Sequence, residues 1–388
     1  MIRPRTVLIG GIIALLMNVL CFVATERSNF KTGMQRGDFK MFYAAATALR
    51  AGKGSLVYDR ALETKLQRSI FPDLSESGVQ VYTHPPFELL FYLPFSFLPY
   101  LTACFLWQLA SVGLALVSAS LLAQCPGKQS GVSPYILVLG SFPFFILLMF
   151  QQDSALLLFF MTLALRAFQE NRDSFAGAFL AMALFRFPIV VPLIALLCLR
   201  RPRLLKGVIP VILILGIISI TLVKPAGVLA YGEYLLRMTR DSSMRVSDLY
   251  QIDPRMMPTL RGLFFLFHLP FVAPIAGMIT ILACARIIRR SGDSAFQFAI
   301  AVTGALLLSP HSLMHDLTLI AIPAAFLGKP AAPMLVFYLA PVMVLFYPQA
   351  QALLAIPLLV AVGLSLRRGS VTTRQIDAGS HPLELCRS

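Results

Sequence analysis

Long apolar runs separated by short polar breaks dominate this chain. Clear runs lie near 7–24, 100–124, 133–150, 152–169, 205–223 and 260–285, with others near 294–308, 313–327, 331–347 and 349–366. Stretches of roughly 17 to 25 apolar residues are long enough to cross the hydrocarbon core as helices. Several runs are short for a full span and require tilt or local thinning of the bilayer. Residues 174–199 are too long for one level span and too short for two, and they contain Phe187-Pro188. Proline removes a backbone donor and clashes with the preceding turn, so two short helices broken around this pair are expected. Such a break survives in a membrane only where protein buries it or it lines a cavity. The pattern predicts an all-α polytopic membrane protein with about ten to twelve transmembrane helices, some short or broken.

Composition agrees with this class. Hydrophobic residues make up 57% of the chain and charged residues 13%, about half the charged share of a soluble domain. No soluble second domain and no internal repeat stand out, so residues 1–368 are read as one membrane domain and 369–388 as a disordered cytoplasmic tail. The first apolar run follows Met1-Ile2-Arg3-Pro4-Arg5 without a small-x-small cleavage site, as in an uncleaved signal anchor. Six cysteines lack paired spacing, which indicates neither a disulfide framework nor a zinc site. The net charge of +15 is spread over both ends of the spans and fits anionic membrane lipids. No compact basic domain exists to carry nucleic-acid binding.

Short basic connections fix an expected orientation, because cytoplasmic loops are enriched in Lys and Arg. Lys128, Arg166 with Arg172, Arg200-Arg201-Pro202-Arg203 with Lys206, Arg286 with Arg289-Arg290, and Lys329 all fall on one side. With both termini also on the cytoplasmic side of the inner membrane, two long loops, 25–99 and 224–259, face the exterior. They hold Asp38, Asp59, Glu63, Asp73, Asp241 and Asp253, which places the chemistry at the outer face.

Within the first loop, Phe39, Phe42, Tyr43, Ala46 and Leu49 share one helical face, and Lys40, Thr47 and Arg50 lie on another. This predicts an amphipathic helix lying in the membrane interface, bounded by Gly52 and Gly54. Asp38 stands at its start, either as a cap for a free backbone N–H or as a catalytic carboxylate. Tyr82-Thr83-His84-Pro85-Pro86-Phe87-Glu88 then leads back to the membrane, and Glu88 at the lip of an apolar run needs a partner. Arg261 opens a later span, as an interfacial anchor or as a phosphate ligand. Arg186 at the helix break is a second phosphate candidate, since an ionisable residue at membrane depth marks a functional site. Ser309-Pro310-His311-Ser312-Leu313-Met314-His315-Asp316 and the Gln151-Gln152-Asp153-Ser154 turn complete the outer polar groups. Capping by Ser312, a solvated turn and a His–Asp structural hydrogen bond compete with a functional role there, and the spacing alone would also allow a metal, which nothing else supports.

Taken in order, these segments resemble the family-87 glycosyltransferases of the GT-C architecture, whose best-known members are polyprenol-phosphate-mannose-dependent mannosyltransferases. The resemblance runs from about Asp38 to Asp316 through Asp38-Phe39, Tyr43-Ala44-Ala45, Tyr58-Asp59, His84-Pro85-Pro86, the Gln152 turn and Phe185-Arg186-Phe187-Pro188. It continues through Asp253-Pro254, Met257-Pro258, Leu260-Arg261-Gly262, Ser309-Pro310 and His315-Asp316-Leu317. This chain departs from the family at His84, where an aromatic is usual, at Gln151, where Gly precedes the Gln, and at Arg186, where Lys is usual. Thr259 stands where Asn is common, and the family has Asp or an aromatic around Met314-His315.

The resemblance implies a hexose, mannose first, moved from a polyprenyl-phosphate donor to a lipid or glycan acceptor by one inverting displacement. It implies Asp38 as general base and Arg261, Arg186 and His315 around the donor phosphate. His84, Gln152, His311, Asp316 and Tyr43 are further substrate-binding candidates. No metal and no other cofactor are expected. Two other classes share these features: a transporter or flippase for a lipid-linked substrate, and a non-catalytic envelope-assembly protein of the same fold. Transporters usually show internal repeats with matching discontinuities, and replacing Asp38 by Asn separates the three.

Overall fold

A computed structural model describes residues 37–75, 78–240, 253–339 and 348–378, together with Leu16. The first apolar run, 7–24, apart from Leu16, residues 241–252 of the second outer loop and residues 340–347 of the run expected at 331–347 lie outside the described residues. Every element is helical, and there is no strand among the described residues. Among the described residues, four helices are long and apolar enough to cross a membrane: Tyr100–Gln124, Pro202–Arg237, Val272–Arg290 and Ala350–Arg367. A fifth candidate is the pair Asp173–Met182 and Leu184–Cys198, bent by 63°. Ser154–Gln169, Ser294–Leu308 and Met314–Phe326 are shorter apolar helices. The chain is thus an all-α polytopic membrane protein.

The helices used below are α1 (Phe39–Arg50), α2 (Arg60–Ile70), α3 (Tyr100–Gln124), α4 (Pro134–Leu139), α5 (Phe142–Met149), α6 (Ser154–Gln169), α7 (Asp173–Met182) and α8 (Phe187–Cys198). After them come α9 (Leu205–Arg240), α10 (Leu260–Leu266), α11 (Val272–Arg290), α12 (Ser294–Leu308), α13 (Ala321–Phe326) and α14 (Ala355–Ala378). Helix α12 is the axis of the core, with all residues from Ala295 to Leu307 buried. It is apolar all round, as a helix enclosed by others must be. Around it, α3, α9 and α11 leave apolar faces bare: Phe105, Leu213, Ile217, Ile279 and Leu282 are each more than 60% exposed. Such surface belongs against lipid.

Small residues set the closest crossing. A Cβ on Gly177 of α7 would collide with the Leu204 carbonyl, and one on Gly207 of α9 with the Ser174 carbonyl. Glycine at both positions lets the two backbones touch, a common device where helices pack in lipid.

Several expected spans are broken where local chemistry forces it. The 133–150 run is two helices, α4 and α5, separated at Gly140-Ser141, with Pro143 in the first turn of the second. The 260–285 run is α10 and α11, interrupted by left-handed His268 (φ 58°) before Leu269-Pro270. The 313–327 run begins as a 3-10 segment, Met314–Ile320, before α13. Helix α9 kinks at Lys224 (φ 60°), where Pro225 bars its predecessor from the α conformation. Helix α14 runs on to Ala378, past the boundary expected at 368. The break expected at Phe187-Pro188 lies just before it, at residues 183–186.

Candidate active site

Helix α1 has the predicted limits but not the predicted polar face. Lys40 is buried with the apolar residues, its Nζ donating to the Gly37 carbonyl at 3.3 Å, and burial pushes its amine down to about 8. Aromatic packing holds the face that carries Phe39, Phe42 and Tyr43. Phe42 stacks on Tyr92 at 4.2 Å, Phe39 stacks on Trp107 at 6.1 Å, and Tyr43 meets Tyr100 edge-on at 5.3 Å. A helix packed along most of its length is a fixed platform, and Asp38 sits at its N-terminus.

Asp38 does not cap that helix with its side chain. Its carboxylate turns to two amides instead: Gln80 Nε2 donates to Oδ1 at 2.7 Å, and Gln152 Nε2 donates to Oδ2. The backbone N–H of Asp38 donates to the Phe150 carbonyl at 2.9 Å, which ties the platform to the 150–153 turn. Trp107 Nε1 holds the same turn by donating to the Gln151 carbonyl at 3.1 Å. Gln151 takes the left-handed conformation (φ 54°), which glycine adopts without steric cost. That is where the family resemblance has glycine. A Cβ on Gly37 would strike the Gln151 side chain, so the two segments meet closely.

Behind Asp38 a buried polar network runs inward. Gln152 Oε1 accepts from Arg186 Nη2 at 2.9 Å, so one amide links Asp38 to the arginine. Arg186 grips Asp153 with Nε at 2.9 and 3.1 Å from its two oxygens and with Nη2 on Oδ1. Asp316 Oδ1 stands 3.7 Å from Arg186 Nε and accepts from Ser154 Oγ at 3.1 Å. Ser154 Oγ is also 2.9 Å from His315 Nδ1. Asp316 Oδ2 accepts the Leu313 backbone N–H at 3.0 Å. That bond does the capping expected of Ser312, whose buried hydroxyl finds no described partner.

On the other flank, His84 Nδ1 is 2.7 Å from Glu88 Oε2 and 3.5 Å from Asp153 Oδ2. The Glu88 carboxyl also accepts from Tyr92 OH at 3.4 Å, and the His84 carbonyl accepts from Tyr58 OH at 2.8 Å. Burial, together with the Asp153 charge, pushes Glu88 well above the usual carboxylate range. Burial and then the Arg186 charge push His84 down to about 4. Asp153 is pulled up by burial, but Arg186 and His84 outweigh this and leave it below its ordinary value. These directions favour an Asp153–Arg186 ion pair, a neutral His84 and the protonated form of Glu88.

His84, Glu88 and Asp153 offer donor atoms within 4.8 Å of one another, a set that could take a cation. Arg186 already supplies a fixed positive charge on Asp153, which lowers the need for one.

Of the residues picked from sequence, Asp38, Gln152, Arg186, His315, Asp316 and His84 join this one network. His311 is close enough that burial, then the Arg186 charge, push its imidazole down to about 4. Arg261 is partly exposed and donates from Nη1 to the Pro310 carbonyl at 3.0 Å, beside His311. Tyr43 is turned elsewhere, with its hydroxyl donating to the Leu98 carbonyl at 2.7 Å. Gln80 and Asp153 were not picked. The stretch around Gln80 has no periodicity to mark it. Asp153 was recoverable, because a buried arginine must have an acid beside it.

Among the network residues only Asp38 and Gln80 keep part of their surface open, while Gln152, Asp153, Arg186, His315 and Asp316 are buried. The arrangement can orient a partly exposed carboxylate and back it with fixed positive charge. A family model described as glycosyltransferase family 87 matches residues 82–310. The match takes in His84, Gln152, Arg186 and Arg261 and begins after Asp38. No curated protein and no solved structure matches the chain.

Proposed function

The chain belongs to glycosyltransferase family 87, and on that premise we propose that it transfers a hexose, mannose first, from a polyprenyl-phosphate donor to a lipid or glycan acceptor. The transfer takes place at the outer face of the membrane, with both termini cytoplasmic. The observation carrying this reading is the Asp38 carboxylate, released from helix capping and held by Gln80 and Gln152 at the open end of the network.

Each carboxylate oxygen keeps a lone pair beyond the one its amide uses. Asp38 takes the proton of an acceptor hydroxyl as that oxygen forms a bond to the anomeric carbon. The bond from that carbon to the phosphate oxygen breaks on the opposite side, and its electron pair leaves with the polyprenyl phosphate. One displacement inverts the centre, so a β-linked donor gives an α-glycoside. The charge building on the phosphate needs fixed cations. Arg261 is the partly exposed one. Arg186 lies deeper, and its Nη1 makes none of the described bonds. His315 is the third candidate. The guanidinium on Asp153 supports a reaction without a metal.

The test is transfer from synthetic polyprenyl-phosphate mannose, glucose and galactose in vesicles holding the purified chain, with the product's anomeric configuration read by NMR. An inverted mannoside is expected. A retained configuration, or flipping of the donor with no glycoside formed, contradicts the reading, and flipping alone assigns the chain to transport.

A further inference from the structure

At the far ends of the helices that carry the candidate active site lies a polar cavity of about 530 Å³. Helices α6, α8 and α12 present Asp153-Ser154, Arg186 and Ser309–Asp316 at one end. Asn171, Arg200–Arg203 and Gly292 stand at the other ends, and these line the cavity with Asp173 of α7 and Gln297 of α12.

Three arginines against one aspartate leave the cavity cationic. Arg201 is the structural member. It donates from Nη1 to the Phe168 carbonyl at 2.6 Å and to Asp173 Oδ1 at 3.1 Å, and from Nη2 to Ser294 Oγ at 2.7 Å. Its guanidinium also lies over the Phe168 ring at 4.0 Å. One residue thereby joins α6, α7 and α12. Arg200 and Arg203 flank it, exposed and with no described partner. Gln297 adds a different demand. Its Nε2 donates to the Ser291 carbonyl at 2.6 Å, while its Oε1 is buried with no partner. A buried acceptor left unpaired costs about 1–3 kcal/mol, which a ligand donor would offset.

The surface around the opening supplies the level in the membrane. Leu199, Leu205 and Ile209 are each at least 40% exposed, and they bracket Arg200 and Arg203 in sequence. Lipid-facing surface begins at the rim.

We propose that this cavity binds a phosphate group, carried by an anionic lipid whose headgroup bears a hydroxyl. The free guanidinium forks of Arg200 and Arg203 match phosphate oxygens in a bidentate way that an ammonium cannot. The hydroxyl donates to Gln297 Oε1, and the acyl chains lie along the exposed face of α9. Basic pockets between membrane helices on the cytoplasmic side bind headgroups in this manner. The site is separate from the transfer site and does not depend on the sugar chemistry proposed above.

The full chain in detergent is titrated with phosphatidylglycerol, phosphatidylcholine and inorganic phosphate, with bound species counted by native mass spectrometry. Phosphatidylglycerol is expected to bind at least tenfold tighter than phosphatidylcholine, and R200Q/R203Q to lose that preference at an unchanged melting point. R200K/R203K, which keeps the charges but not the forks, should fall between. Inorganic phosphate that abolishes phosphatidylglycerol binding at millimolar concentration would identify a soluble phosphate as the ligand of the same site. Equal binding of the two lipids without competition by phosphate, or full lipid preference in R200Q/R203Q, overturns the proposal.

Discussion

Replacing Arg186 by Gln is the sharpest probe of the buried network. The substitution removes three bonds to Asp153 and one to Gln152, and it strips the guanidinium charge that stands 3.7 Å from Asp316. Asp153 and Asp316 are both fully buried, so neither carboxylate can turn to water. Breaking a buried pair from one side costs about 3–5 kcal/mol, because the other charge is left uncompensated. At roughly 2 °C per kcal/mol for a chain of this size, the melting point falls by about 6–10 °C. A thiol-reactive dye reads this directly, since Cys104, Cys125 and Cys284 are buried and react only on unfolding. The midpoint is operational for a membrane protein that unfolds irreversibly, so variants are compared at one heating rate. D153N/R186Q removes both charges of the pair and should recover at least half of the loss, with the remainder due to Asp316. R186K, the residue usual in the family, keeps the charge and should lose less than half as much. A melting point for R186Q within 1 °C of the parent, or no recovery in the double variant, would refute the reasoning.

Glu63 gives a pH signature away from the site. Burial raises it to about 8 against an unfolded value near 4.5, so the folded chain holds a proton that the unfolded chain has released. Stability therefore falls as pH rises through that window, and E63Q should gain over the parent at pH 8 by a few kcal/mol more than at pH 5; an equal gain at both would count against it. Gln152→Leu removes one bond to each of Asp38 and Arg186, at about 1.5–3 kcal/mol for a bond to a charged group. Its turnover should drop roughly 10- to 100-fold with little change in donor KM, and unchanged turnover would detach Gln152 from the reaction. G207A forces α9 away from α7, and its melting point should fall by several degrees, whereas an unchanged value would mean the crossing is not tight. Chelation with EDTA should leave transfer intact; loss restored by Mn²⁺ would instead make His84, Glu88 and Asp153 a metal site.

Helix positions were largely legible because lipid imposes apolar runs whose lengths can be counted. Helix α3 and α12 match their runs residue for residue at 100–124 and 294–308. The break before Phe187-Pro188 was also readable, from proline alone. The breaks at Gly140-Ser141 and His268 were not expected, although Pro143 and Pro270 stand beside them in the sequence. The polar face assigned to α1 failed as well. Helical spacing puts Lys40 off the face that carries Phe39 and Phe42, but the fold buries that side too. In the site, residue types marked Asp38, Arg186 and His315. The pairings did not follow from type: Gln80 reaches Asp38 across 42 positions and Gln152 across 114. Distances of that kind are set by the fold.

The central claim rests on the carboxylate at residue 38 removing a proton from the acceptor. Purified D38N, checked for an unchanged melting point with the thiol dye, is compared with the parent in single-turnover transfer from polyprenyl-phosphate mannose. The account predicts donor binding within about twofold of the parent and transfer slowed 10²–10⁴-fold, the usual worth of a positioned base. Transfer by D38N at the parental rate would contradict it.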